Sequence, residues 1–145
     1  VKERRAKEES TGPASLVDYS FERPIEPEQL QMLFRQTGWA DDRSPDGIQK
    51  MLDATYLVLG AWEGDRLIGF VRTITDGIYR ALIDDLVVEE SRRGRGIGSE
   101  LMKRLIERLR EMEIEEVFLR CGGDVVPFYQ RHGFGKTRGV VMDLE

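Results

Sequence analysis

The chain has 145 residues, 40% apolar and 34% charged, which is enough and of the right balance for one soluble domain with its own core. A formal net charge of −5 argues against a general nucleic-acid binder, and one cysteine with one histidine excludes an internal disulfide and leaves no typical zinc set. No apolar run reaches the ~20 residues of a membrane span, and the charged N-terminus lacks the apolar core of a secretory signal, so a cytoplasmic protein without membrane, nucleic-acid or metal partner is expected.

Residues 1–13 are rich in Lys, Glu and Arg and are expected to form a disordered tail before a single domain over 14–145. Leu16 to Phe21 alternates and predicts a first strand, broken by Pro24 and Pro27. Pro27 suits the first turn of a helix that runs to about Thr37, with Leu30, Leu33 and Phe34 as its apolar stripe and Gly38 as its stop. Ser44 and Pro45 read as the N-cap and first position of a second helix reaching about Ala54. Tyr56 to Trp62 and Arg66 to Thr75 predict a hairpin around Glu63-Gly64-Asp65. After a second turn at Asp76-Gly77, Tyr79 to Val88 predicts the third strand of this meander.

That strand leads into Ser91-Arg92-Arg93-Gly94-Arg95-Gly96-Ile97-Gly98-Ser99, and from Gly96 to about Met112 the apolar positions Ile97, Leu101, Leu105 and Leu109 fall on one helical stripe. A strand, a basic glycine turn and a helix N-terminus together make a phosphate cradle, because first-turn amides and the helix dipole both favour negative charge. A Walker loop would require Lys-Ser or Lys-Thr after its glycine, and a dinucleotide turn would require Gly-x-Gly-x-x-Gly; neither register fits. Val117 to Arg120 predicts a short strand, Asp124 an N-cap for a short helix ended by Gly133, and Val140 to Leu144 a last strand, with another short one near 134–137.

The run Arg93 to Gly98 resembles the Arg/Gln-x-x-Gly-x-Gly/Ala signature of the GNAT acetyltransferase superfamily, and Phe128-Tyr129-Gln130-Arg131-His132-Gly133-Phe134 is similar to that family's C-terminal Phe-Tyr-x-x-x-Gly-Phe segment. The resemblance spans roughly Tyr56 to Leu144. It implies an α/β fold with a central mixed, mostly antiparallel sheet, splayed at the coenzyme-binding strand and flanked by helices. It also implies acetyl-CoA as co-substrate and an amine acceptor, with transfer by direct attack in a ternary complex. Leu86, Val87 and Val88 would meet the pantetheine arm. The segment Gly94, Arg95, Gly96, Ile97, Gly98 and Ser99 would hold the pyrophosphate, and Arg93 would shape the turn. Arg92 and Arg95 are read either as phosphate contacts or as solvent-facing residues. Tyr129 matches the family's general acid, with a core tyrosine as the alternative, and Phe128 is a structural residue or a coenzyme wall.

Asp84 and Asp85 are candidates for the base that deprotonates the amine, or for structural carboxylates. Strand alternation puts them on opposite faces, but a bulge would scramble the phase. The family's asparagine near the pantetheine amides is replaced here by Gly122. Cys121 is read as a small buried residue rather than an acyl carrier, and His132 as a surface or cap residue. Trp39, between the two N-terminal helices, is either an acceptor wall, suited to a small (aryl)alkylamine, or a core residue. Trp62 is expected in the core. Acetylation of a protein N-terminus or lysine, and a non-catalytic coenzyme sensor, are the alternative functions. A homodimer through a sheet edge at Val140 to Leu144 is a further expectation.

Overall fold

The computed structural model describes residues 16–145; the expected tail over 1–13 lies outside the described residues. The described elements follow one another as β1 (Val17–Ser20), α1 (Pro27–Phe34), α2 (Pro45–Ala54), β2 (Leu57–Glu63), β3 (Arg66–Thr75), β4 (Arg80–Val88), α3 (Ile97–Glu111), β5 (Glu116–Phe118) and α4 (Val126–Arg131), with short 3-10 turns at Glu90–Arg92 and Gly123–Val125. Five strands among the described residues form one sheet in chain order. The first four run antiparallel and β4–β5 is parallel, a pairing that needs a crossover and uses α3 for it.

Each face of the sheet buries its own core. On one, Leu101, Met102, Leu105 and Leu109 of α3 pack on Leu59, Ile68, Val71 and Ile83. On the other, Leu30, Leu33 and Phe34 of α1 and Ile48 of α2 pack on Trp62, Leu67, Phe70 and Val87. Trp62 is 3% exposed, a core residue as expected. The Ser44 side chain accepts from the Gly47 amide at 3.0 Å with Pro45 behind it, so the start of α2 follows from local chemistry alone. The end of α1 does not. The helix stops at Phe34, and Thr37 closes it by donating its hydroxyl to the Phe34 carbonyl at 2.7 Å. Gly38 is outside the cap and has no left-handed backbone.

Two irregularities open the site. The β4–β5 ladder pairs only Arg80, Ala81 and Leu82 with Glu116, Val117 and Phe118. Beyond Leu82 the strands separate, and Ile83 to Val88 line a gap. The second is a bulge: Phe70 faces Val87 while Arg72 faces Asp84, so Asp85 and Leu86 together oppose Val71. Asp85 takes a left-handed backbone, φ 58°. The extra residue flips the phase of the strand. Ile83 faces the α3 core, yet Val87, four residues on, belongs to the α1–α2 core. The consequence for the two carboxylates corrects the alternation reading: Asp84 and Asp85 lie on one side of the sheet, and both reach Arg72.

Two further expectations are corrected. Neither 134–137 nor Val140 to Leu144 forms a strand. Val140, Met142 and Leu144 are 83%, 87% and 102% exposed, and the segment is tethered by Arg120 to Asp143 at 3.0 Å. Its alternation is that of a strand, but alternation says which side chains share a face and not which edge is there to pair with. Asp124 sits within the 3-10 turn, and Val125 occupies the N-cap of α4.

Candidate active site

The gap between β4 and β5 is the floor of a cavity of about 1130 Å³ that reaches from the glycine turn to the α1–α2 loop. At one end Gly94 and Gly96 have φ of 82° and 84°, a conformation that glycine adopts without strain, and Gly96 is the N-cap of α3. Outside the helix ladder, the amides from Gly94 to Ser99 make no backbone hydrogen bond among the described residues, in keeping with the unpaired amides of a helix first turn. A Cβ on Gly94 or Gly96 would meet nothing within 4 Å, so neither glycine is required by packing. Gly98 faces Val88 and Phe128 at ordinary contact distance. This row of donors fits a pyrophosphate.

The arginines divide by role. The Arg93 Nε donates to the Val88 carbonyl at 3.0 Å and pulls the turn onto the end of β4. Arg92 lines the cavity and is not solvent-facing. Its guanidinium is committed to Glu63 and, at 2.9 Å, to the buried carboxylate of Glu89, which also accepts from Arg66 at 2.5 Å. The Ser91 hydroxyl first, then its amide and the two arginines, hold the Glu89 carboxyl below its ordinary range. Arg92 is therefore a brace under the turn. Arg95 is exposed and does not line the cavity.

Along the cavity, Glu89 donates its amide to the Ile68 carbonyl at 2.8 Å. Ladder parity then aims the Val87 backbone at β3, and that of Leu86 and Val88 into the gap, where an amide or oxyanion could be bound. Ile97 and Val87 contribute backbone, while their side chains are 3% and 4% exposed in the two cores. Phe128 packs edge-on to Tyr129 at 5.0 Å and against the α3 core, forming a wall beside Gly98.

Tyr129 lines the far part. Burial, followed by the charges of Cys121 and Asp84, pushes its phenol up to about 12, so it keeps its proton at neutral pH. The two aspartates differ sharply. The Asp85 side chain is 2% exposed and its Oδ2 accepts from Arg43 Nη1 at 2.8 Å and Arg72 Nε at 2.7 Å. Asp84 is 40% exposed, and its ion pair to Arg72 is 3.5 Å long. Both line the cavity; Asp85 is committed to its two arginines, while Asp84, whose Oδ1 accepts from the Asp85 amide at 3.0 Å, is the more exposed and the less tightly paired. Trp39 also lines the cavity, half exposed, with its ring 6.1 Å from that of Phe34. Cys121 is exposed and lines the cavity, which corrects its reading as buried: the strand ends at Phe118 before it can be covered.

Sequence reasoning missed three participants. Arg43 and Arg72 neutralise Asp85, and their separations of 42 and 13 residues from it carry no local signal. His132 is the C-cap of α4, as a cap reading allows, but its Nε2 also lies 3.2 Å from the Ser99 Oγ, which ties α4 to the glycine turn. Burial and Arg131 lower its pKa, so the ring is held neutral.

Comparison with known proteins identifies the family. The model of the acetyltransferase (GNAT) family matches residues 18–134. An uncharacterized ycf52-like N-acetyltransferase of Prochlorococcus marinus is 33% identical over 120 residues, 80% of this chain and 66% of its own length. A chloroplastic serotonin N-acetyltransferase 2 of Oryza sativa is 38% identical over 79 residues, 54% of this chain and 40% of its own. The chain therefore spans two thirds or less of these curated relatives. A solved structure from Deinococcus radiodurans, assigned to the acetyltransferases, superposes with a TM-score of 0.77 at 32% identity, covering 89% of each chain. The open sheet splayed after Leu82, the glycine turn at the head of α3 and the match over 18–134 together show that the chain belongs to the GNAT acetyltransferase family.

Proposed function

We propose that the chain is an acetyl-CoA-dependent N-acetyltransferase that acetylates a primary amine by direct attack in a ternary complex, with small arylalkylamines as the acceptor class. One observation carries this reading: a single cavity joins the glycine turn, Asp84, Tyr129 and Trp39. The pyrophosphate lies on the amides from Gly94 to Ser99, and the pantetheine arm follows β4. Asp84, directly or through water, takes a proton from the ammonium form of the acceptor. The freed nitrogen attacks the thioester carbonyl carbon, and a backbone amide of the Leu86–Val88 segment steadies the oxygen that gains charge. The carbon–sulfur bond breaks, the Tyr129 hydroxyl gives its proton to the departing sulfur, and the second proton of the attacking nitrogen passes through water to the resulting phenolate. The half-exposed Trp39 and the partly exposed Asp84 carboxylate line one cavity, which suits a cationic amine with an aromatic body, and the likeness to the rice serotonin N-acetyltransferase supports the same class.

The test is thiol release from acetyl-CoA against arylalkylamines, polyamines, amino acids, aminoglycosides and peptides. Turnover with arylalkylamines alone is expected. Turnover only with peptides would move the acceptor to a protein N-terminus or lysine, and silence with coenzyme binding intact would make the chain a coenzyme sensor. Tyr129→Phe is expected to lower turnover by about 10²-fold or more while sparing coenzyme affinity; an unchanged rate would remove Tyr129 as the acid.

A further inference from the structure

Arg43 ends the α1–α2 loop and makes contacts in three directions. Its Nη1 donates to the buried Asp85 carboxylate at 2.8 Å. Its guanidinium lies 4.8 Å over the Phe34 ring and 5.9 Å from the Trp39 ring centre. Its carbonyl accepts from Gln31 Nε2 at 3.2 Å, which pins the backbone of the loop to α1.

Pairing of Asp85 does not by itself explain this residue. Arg72 Nε meets the same Asp85 oxygen at 2.7 Å from the neighbouring strand while its Nη2 lies 3.5 Å from Asp84, so Arg43 is the second cation on a pair of carboxylates. Charge alone would be met by any nearby cation, whereas holding this long side chain in one geometry costs rotamer entropy. What Arg43 adds is a connection. The Trp39 indole is 55% exposed, and its backbone is held by a long 3.4 Å hydrogen bond to the Thr37 hydroxyl. Near the ring itself stand the Phe34 ring, 6.1 Å away centre to centre, and the Arg43 guanidinium carbon, 5.9 Å from the indole centre. A flat guanidinium can stack on rings with its face while its edge donates to a carboxylate, which an ammonium cannot do. The anchor at the other end is the most constrained point of the strand, the left-handed Asp85 of the bulge.

We propose that Arg43 is a positioning residue for the acceptor: it bridges the Asp85 bulge to the Trp39 indole and so holds that ring at the amine end of the cavity. It touches no reacting atom. The kinetic part rests on the acetyltransfer reading above; the placement of Trp39 does not. The consequence is selectivity, since an ordered indole favours amines with an apolar or aromatic body.

The test uses the full chain with Arg43→Gln and Arg43→Lys. In Arg43→Gln the KM for the arylalkylamine is expected to rise about tenfold, as for loss of one charge-assisted contact, with kcat and the acetyl-CoA KM changing less than about twofold. Arg43→Lys keeps a charge for Asp85 and loses the flat guanidinium that reaches the rings and the carboxylate together, so it is expected to recover only part of the loss. Acrylamide quenching reads the ring directly: Trp62 is 3% exposed and protected, so the accessible fluorescence reports Trp39, and quenching is expected to rise in both variants. An amine KM within about twofold of wild type in Arg43→Gln, an equal loss of coenzyme affinity, or unchanged quenching would each overturn the proposal. If the wild-type chain acetylates no amine, the acetyltransfer reading fails by itself, and the quenching comparison still decides whether Arg43 places Trp39.

Discussion

Gly96→Ala separates the two demands made on the glycine turn. Gly96 caps α3 with φ 84° and ψ 6°, and a Cβ there would meet no atom within 4 Å. The whole cost of a methyl group is thus local backbone strain, about 1–2 kcal/mol for a left-handed non-glycine residue. For a chain of this size that lowers Tm by roughly 3–8 °C. The strain can be relieved only by rotating the turn, which tilts the amides from Gly94 to Ser99 away from their common focus. Coenzyme affinity is therefore expected to fall by at least about tenfold, the equivalent of one lost charge-assisted hydrogen bond. Gly38→Ala is the control, since Gly38 has equal space around it and no positive φ; it is expected to hold or slightly raise Tm, because it removes only unfolded-chain freedom. Thermal melts and calorimetric titration with coenzyme A measure both quantities. A Gly96→Ala variant with wild-type Tm and wild-type affinity would refute the account of the turn as a conformational requirement serving phosphate.

Other outcomes follow from the same geometry. Asp85→Asn is expected to cost about 2–4 kcal/mol in chemical denaturation, because it leaves Arg43 and Arg72 facing a neutral amide in a buried setting, whereas Asp84→Asn should cost under about 1 kcal/mol and abolish most amine turnover; the reverse ranking would exchange their roles. Thr73→Val is expected to stabilise the fold by about 1 kcal/mol, because the Thr73 hydroxyl is fully buried between Leu57 and Ile83 with no partner among the described residues; a lower Tm would mean that the hydroxyl is bonded. His132 has a folded pKa below its ordinary ~6.5, so between those values the unfolded chain binds more protons and stability falls as pH drops from about 7. His132→Gln is expected to flatten that part of the pH–Tm curve, and an unaltered slope would remove the histidine as its source.

Most of the meander was legible residue by residue because its signals are local. Ser44-Pro45 caps a helix wherever it stands, Glu63-Gly64-Asp65 turns a hairpin, and the stripe Ile97, Leu101, Leu105, Leu109 needs no partner to be recognised. The glycine turn was legible for the same reason, since Arg93 to Ser99 is one continuous segment whose strand–turn–helix context can be read from its own residues. The far end of the cavity was not. How exposed each carboxylate stays depends on a left-handed residue at 85 and on arginines drawn from β3 and from the α1–α2 loop, contacts that exist only once the sheet has formed. Arg92 shows the same limit: beside the glycines it reads either as a phosphate contact or as a solvent-facing residue, and only the folded chain brings Glu63, 29 residues away, to pair with it. Local chemistry by itself determined the meander, its helices and the glycine turn, and the resemblance to a family pointed to the tyrosine; the tertiary structure alone decided which charges are paired with each other and which stay exposed, because pairing of charges is a property of distances in space and not of spacing along the chain.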